Sequence, residues 1–212
     1  MNDFLPFQKK ISHYGVLNSL SQTLIKITAP GVPDFYQGTE LWDLNLVDPD
    51  NRRPVDFETR AALLDQVAIG ETKDPLKLIE ELLADVESGK IKLLVVYQGL
   101  QARNRALETF QKGTYLPLKA SGRFARNVIA FARFHAGNWA VTVAPRFFCS
   151  LVEDGDFPTG EAVWQDTRVI LPKQCPHSLT NVFTGEVFAS HNYLSVGQAL
   201  RHFPVGLFTG AA

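Results

Sequence analysis

With 212 residues, of which 45% are hydrophobic and 20% charged, the chain has the composition of a soluble folded protein with one large or two small domains. Its formal net charge of −1 and its lack of a basic run give no general attraction to nucleic acid or to an anionic membrane. No apolar segment approaches the roughly 20 residues that span a bilayer, and the N-terminus lacks signal-peptide features, so a cytoplasmic location is expected. Cys149 and Cys175 lie in unrelated contexts and are expected to be reduced thiols.

The first predicted elements are a helix and a short strand. Apolar residues recur at helical spacing from Val16 to Ile27 and predict a helix over about residues 12–28, with residues 1–10 frayed. Residues 32–37 have an apolar centre between two glycines and the length of a short buried strand. A helix that leads directly into a strand is the repeating unit of a (β/α)8 barrel.

The polar segment of residues 39–55 carries the candidate binding side chains. They are two aromatic, two acidic and two basic residues: Tyr36, just before the segment, and Trp42, Asp48, Asp50, Arg52 and Arg53. Aromatic faces suit pyranose rings, arginines donate forked hydrogen bonds, and aspartates accept bonds from hydroxyls. The same charges could instead lock the loop by ion pairs, and Tyr36 could belong to the core. Glu40 is expected to support the loop rather than to contact sugar.

Helical patterns return after this segment. Asp56 is the predicted N-cap of one helix, and Asp74 followed by Pro75 is a cap with proline at the first helical position of the next. Residues 90–106 fit either a buried strand or a helix, because β-branched residues favour strands while the apolar positions keep helical spacing. The helix is the preferred interpretation.

Beyond Gly113 short apolar runs alternate with turn residues and predict an antiparallel β-sandwich. Hairpins are expected around Ala136–Asn138 and at Thr184–Gly185. The seven predicted strands are residues 114–119, 127–135, 138–145, 167–171, 179–183, 186–189 and 203–208.

Three aromatic features of this half could form a sugar-binding platform. A core position is expected for Trp139, whose spacing matches that of a strand, whereas the position of Trp164 stays open. Phe147 and Phe148 are adjacent and cannot both face inward on a regular strand, so one is expected to be exposed or to lie in a bend.

No catalytic motif is recognisable in the chain. There is no nucleophile elbow, phosphate-binding loop or zinc-ligand spacing, so no catalytic residue, cofactor or metal is predicted. The histidines are scattered, and none follows an acidic residue at a useful interval: His13, His135, His177, His191 and His202.

Two motifs carry a resemblance to a known family. The pattern Gly-x-Pro-x-x-Tyr-x-Gly-x-Glu over residues 31–40 resembles the eighth-strand signature of the α-amylase clan of (β/α)8-barrel glycosidases. Its extension through Asp-Pro-Asp-Asn-Arg-Arg-Pro at residues 48–54 closely resembles the maltooligosyl trehalose synthases. Fainter resemblance continues almost to the end of the chain. The resemblance covers nearly the whole chain but only the last part of such an enzyme.

The resemblance implies an α+β chain with three parts. Residues 1–55 would be the end of the catalytic barrel, residues 56–112 a helical segment, and residues 113–212 the β-sandwich that follows the barrel. Enzymes of this family are isomerases that convert the reducing-end α-1,4 bond of a maltooligosaccharide to α-1,1, without a cofactor. Their catalytic carboxylates follow earlier barrel strands and are expected outside this chain.

The expected partners follow from the same resemblance. They are the N-terminal catalytic portion of the enzyme and, through it, a maltooligosaccharide; no nucleic acid or membrane partner is expected. Two other roles stay open. The chain could be a non-catalytic α-glucan-binding or assembly module, and its sandwich could be only a structural support for the barrel.

Overall fold

The computed structural model describes residues 3–190 and 192–211, so His191 lies outside the described residues. Helices occupy the first half of the chain, and short 3-10 turns at Asp50–Arg52 and Val86–Ser88 interrupt the connections between them. The helices are α1 (Phe4–Thr28), α2 (Phe57–Lys73), α3 (Pro75–Ala84), α4 (Lys90–Arg105) and α5 (Leu107–Gln111). None of the helices in these described ranges is long and apolar enough to cross a membrane.

Local capping explains where α2 and α3 begin, as the sequence predicted. The Asp56 carboxylate accepts from the backbone N–H of Thr59 at 2.9 Å and from its hydroxyl, and these bonds lower the pKa of Asp56. The Asp74 carboxylate accepts from the N–H of Lys77 at 3.1 Å, and Pro75 occupies the first helical position.

The helix preferred for residues 90–106 is confirmed as α4, which packs against α1. The frayed start expected for residues 1–10 is wrong for residues 4–10, because α1 already begins at Phe4, while residues 1 and 2 lie outside the described residues. The first turns of α1 expose Phe4, Phe7 and Ile11 instead of burying them. Phe4, Phe7 and Ile11 follow the i, i+3, i+7 spacing of a helix, so the helical pattern was present in the sequence and was overlooked.

Within the described residues, nine strands form two antiparallel sheets in the second half of the chain. The six-stranded sheet has the order β1-β3-β4-β9-β6-β7, and the three-stranded sheet has the order β2-β5-β8. The strands are β1 (Thr114–Pro117), β2 (Ala120–Ser121), β3 (Val128–His135), β4 (Asn138–Pro145), β5 (Arg168–Ile170), β6 (Ser178–Asn181), β7 (Val187–Ala189), β8 (Tyr193–Ser195) and β9 (Gly206–Ala211). The short helices α6 (Glu161–Trp164) and α7 (Val196–Ala199) lie between them.

The expected hairpins and the α+β class are confirmed. In one hairpin β3 pairs with β4, and Ala136 and Gly137 in the turn have φ values of 45° and 85°. In the other, β6 pairs with β7 across the turn at Gly185, whose φ is 73°. Buried residues of both sheets, among them Val169 and Leu194 on the small sheet, share one apolar cluster.

The strand predicted over residues 32–37 is not formed in this chain. The backbone of residues 32–36 is irregular and pairs with none of the described strands. A strand needs a neighbour for its N–H and C=O groups. The described residues supply none to this segment, so it runs as irregular chain from the end of α1 into the polar loop.

A second apolar cluster joins the two halves of the chain. It contains buried residues of α1 and α4 such as Leu24 and Leu94, together with Ala140 and Leu207 on β4 and β9. Arg103 of α4 reinforces the end of α1 by donating to the carbonyl oxygens of Ile27 at 2.7 Å and Gly31 at 2.5 Å. These contacts fix the direction in which the chain leaves α1.

The aromatic residues considered as a sugar platform are mostly buried. Trp139 is in the core as expected, and Trp164 and Phe148 are also buried, so they do not offer a surface platform. Phe147 is exposed, which confirms that one of the two adjacent phenylalanines faces outward. Both cysteines are free thiols, and burial raises the pKa of Cys175 to about 11.

Candidate functional site

The candidate site is the loop of residues 39–55, and Arg60 of α2 holds its first part. The Arg60 Nε donates to the Glu40 carboxylate at 3.3 Å, and its two terminal nitrogens donate to the carbonyl oxygens of Gly38 and Asp56 at 3.0 and 3.1 Å. One side chain thereby joins the entry of the loop to the N-terminus of the helix that follows it. Glu40 supports the loop, as the sequence predicted.

Two further contacts anchor Leu41 and Trp42. The Trp42 indole Nε1 donates to the carbonyl oxygen of Val86 at 2.6 Å. Lys92 of α4 donates to the carbonyl oxygen of Leu41 at 3.0 Å, and its Nζ lies 5.6 Å from the centroid of the Trp42 ring. Burial lowers the pKa of Lys92, and the positive charge of Lys26 lowers it further. Trp42 is therefore partly buried as an anchor.

The tip of the loop is tied together by ion pairs. Arg52 and Asp48 lie 2.7 Å apart, and Arg53 pairs with Asp50. The other Asp50 oxygen accepts from the backbone N–H of Leu46 at 2.8 Å. The loop-locking alternative considered from the sequence is thus present. Asp48 and both arginines are exposed, so the same groups also face solvent.

Tyr36 lies at the surface at the entry of the loop and does not belong to the core. Its carbonyl oxygen accepts from the N–H of Thr39 at 3.1 Å and from the Thr39 hydroxyl at 2.7 Å, which turns the chain towards the loop. The neighbouring Phe35 ring has the Lys26 ammonium 3.7 Å from its centroid. Tyr36 thereby keeps an exposed ring at the entry of the loop.

The same part of the chain exposes many large apolar side chains. Val32 and Leu44 are each 93% exposed. We use the name N-terminal apolar surface for two separate groups of exposed side chains, one at the start of α1 and one beyond its other end: Phe4, Leu5, Phe7 and Ile11, and Val32, Leu44, Leu46 and Val47.

Sequence reasoning missed the residues that anchor the loop. Arg60 and Lys92 read as ordinary charged residues of helices, and Val86 contributes only a backbone oxygen. Trp42 and Val86 are 44 positions apart, so no local spacing could reveal their contact. The only local signal was the i,i+4 and i,i+3 spacing of acidic and basic residues at the tip.

We expect Arg60→Ala to loosen the loop. The substitution removes hydrogen bonds that are only partly shielded from water, so the free energy of unfolding should fall by about 1–2 kcal/mol. Amide hydrogen exchange should become faster over residues 38–42. Urea denaturation and exchange measured by mass spectrometry would check both effects.

Arg105→Ala is the matched control, since Arg105 is an exposed arginine at the end of α4. Its effect on unfolding should stay within about 0.5 kcal/mol, with no change in exchange over the loop. Equal exchange rates over residues 38–42 in the Arg60 variant and the control would contradict the anchoring role of Arg60.

Comparison with known proteins gives consistent results. No protein-family model matches the chain. The chain is 34% identical over 174 residues to a protein of Mycobacterium tuberculosis named as a maltooligosyl trehalose synthase. That match covers 82% of this chain and 18% of the relative. The chain therefore spans less than a fifth of the length of that relative.

Solved structures point the same way. The maltooligosyltrehalose synthase of Arthrobacter ramosus superposes with a TM-score of 0.72 and 34% identity, over 93% of this chain and 22% of that chain. A maltogenic α-amylase of Thermotoga neapolitana, AmyB, reaches a TM-score of 0.51 at 12% identity, over 91% of this chain and 36% of that chain. This second likeness concerns the fold alone.

Proposed function

We propose, from the premise that this chain belongs to the maltooligosyl trehalose synthase family and matches the C-terminal part of its members, that it completes such an enzyme without supplying the reacting groups. The complete enzyme would be an isomerase that moves the reducing-end glucosyl unit of a maltooligosaccharide from an α-1,4 to an α-1,1 bond. The reaction would be an intramolecular transglucosylation through a covalent glucosyl-enzyme. It would serve trehalose biosynthesis.

The role of the chain in this reaction is to form one wall of the substrate cleft. The observation that carries the proposal is a loop anchored at its base by Arg60, Trp42 and Lys92 and exposed at its tip. An anchored base keeps the tip in one position, and the tip presents Arg52 for contact with sugar, while Tyr36 presents its exposed ring at the entry of the loop. The paired aspartates orient the arginines and supply hydrogen-bond acceptors.

The acidic groups near the loop already have structural partners. Asp48 pairs with Arg52, Asp50 pairs with Arg53, and Glu40 pairs with Arg60. A retaining glycosidase mechanism needs a carboxylate nucleophile and a separate acid about 5–5.5 Å from it. We place that pair in the N-terminal barrel portion of the enzyme and assign none of its members to this chain.

The N-terminal apolar surface supports association with that barrel portion. Helix α1 and the irregular segment 32–36 would be the last helix and the eighth strand of the barrel. Contact with neighbouring barrel elements would cover the exposed apolar side chains and give the backbone of the segment its missing hydrogen-bond partners. Residues 113–212 would form the sandwich that follows the barrel and supports it.

The loop proposal is tested in the full enzyme. We expect Asp50→Ala and Arg52→Ala to raise the ratio of hydrolysis to transfer roughly tenfold, because losing a charge-assisted contact costs about 1.5–3 kcal/mol and admits water to the site. Free glucose and non-reducing product formed from maltopentaose would be measured together.

Lys112→Ala is the matched control. Lys112 directly follows α5, outside the loop, and forms an exposed i,i+4 ion pair with Glu108 of α5 at 2.6 Å. This pair closely resembles the 2.7 Å pair of Arg52 and Asp48. Its product ratio should equal that of the unmodified enzyme. A normal ratio in the two loop variants, with normal folding, would remove Asp50 and Arg52 from the cleft.

A further inference from the structure

A groove of about 410 Å³ lies on the sheet half of the molecule, next to the edge strands β7 and β8. Its volume lies within the roughly 300–1,000 Å³ range of small-ligand sites. Each of these strands ends its sheet, so the described residues leave this side of both sheets open. The lining side chains that the argument uses are Glu186, Phe188, Tyr193, Ser195, Gln198 and Arg201.

The groove contains aromatic rings whose positions are fixed by neighbours. The Arg168 guanidinium carbon lies 4.6 Å from the centroid of the Tyr193 ring, yet Tyr193 remains 43% exposed. The Phe188 ring packs edge-to-face on Phe208 with centroids 5.6 Å apart, so it forms a firm apolar part of the lining. The exposed Tyr193 ring, which is fixed in position and carries a polar hydroxyl, is a suitable surface for the apolar face of a pyranose.

The polar groups of the groove suit a neutral ligand with many hydroxyls. The Glu186 carboxylate lies 3.6 Å from the His202 Nε2, and Arg201 is exposed at the same groove. The Ser195 hydroxyl accepts the backbone N–H of Gln198 at 3.5 Å and caps α7, while the Gln198 side chain is exposed. The groove thus offers acceptors and donors, with one formal charge of each sign.

We propose that this groove is a saccharide-binding site formed by elements other than the loop of residues 39–55. A phosphate-bearing ligand would need several cationic groups. In the described lining the positive charge of Arg201 is balanced by the negative charge of Glu186. Taking a maltooligosaccharide as the ligand rests on the proposed function, whereas the preference for a neutral sugar rests on the groove itself. Such a site would hold a glucan chain on the sheet half of the enzyme.

The test uses the 212-residue chain and maltopentaose. Titration followed by amide chemical shifts and by calorimetry should show saturable binding, with shifts at Leu194, Ser195 and Gln198. Tyr193→Ala should weaken the affinity about tenfold or more, because it removes the aromatic contact. Tyr115→Ala is the matched control, since Tyr115 on β1 is 42% exposed and lies outside the lining. Inorganic phosphate should give no saturable shifts.

Each outcome decides the proposal. Absence of binding, or equal affinity in the Tyr193 variant and the unmodified chain, would overturn it. Shifts confined to residues 39–55 would also overturn it while supporting the cleft-wall role of the loop. Saturable shifts at the groove with phosphate but not with maltopentaose would show that the groove binds an anion instead of a sugar, and would overturn the proposal. The hydrolysis-to-transfer ratio of the loop variants remains a separate readout of the proposed function.

Discussion

Mixing this chain with the separately produced N-terminal portion of a maltooligosyl trehalose synthase is expected to turn two inactive samples into one active enzyme. The reacting carboxylates would come from the barrel portion, and this chain would complete the barrel and contribute the loop of residues 39–55. Loss of reducing ends from maltopentaose measures the activity. The chain alone should leave the reducing ends unchanged.

The N-terminal apolar surface supplies the variant that tests how the two portions associate. Leu44→Asp would bury an unpaired charge on reassembly, so about a hundredfold more chain should be needed to restore activity. Leu107→Asp is the matched control, because Leu107 is an exposed leucine at the start of α5, outside this surface. Activity of the chain alone would contradict the proposed non-catalytic role. An inactive mixture would contradict the proposed division of the enzyme into two portions.

Local signals made the helices of the first half predictable. Asp56 and Asp74 accept the N–H bonds of their caps, so a sequence pattern of two or three residues determined where α2 and α3 begin. The start of α1 was missed although Phe4, Phe7 and Ile11 follow the i, i+3, i+7 spacing of a helix; in this chain their side chains face solvent. Strands β2 and β8 have two and three residues, too few for a periodic pattern.

The strand prediction for residues 32–37 failed for a different reason. The residue pattern was that of a strand, but strand structure depends on a hydrogen-bonding neighbour that local sequence does not specify. In the candidate site, the pairs within residues 48–53 followed from i,i+4 and i,i+3 spacing. The anchors Arg60, Lys92 and Val86 did not, because their contacts depend on how α2, α4 and the turn before α4 pack around the loop.

Trp164→Ala is expected to lower the free energy of unfolding by about 3–5 kcal/mol, among the largest effects of a single substitution in this chain. Trp164 is fully buried at the end of α6, and its Nε1 donates to the carbonyl oxygen of Pro158 at 2.8 Å. The substitution removes the ring and leaves that buried oxygen without its donor. Urea denaturation followed by circular dichroism would measure the loss.

Phe147→Ala and Trp164→Phe separate stability from sugar binding. Phe147 is 58% exposed, so removing its ring should change unfolding by less than about 1 kcal/mol. Trp164→Phe keeps most of the buried volume and should leave maltopentaose affinity unchanged, because a buried ring offers no face to a sugar. An unaltered denaturation midpoint in Trp164→Ala would contradict the core position. A loss of affinity in a folded Trp164→Phe chain would instead favour a sugar platform at Trp164.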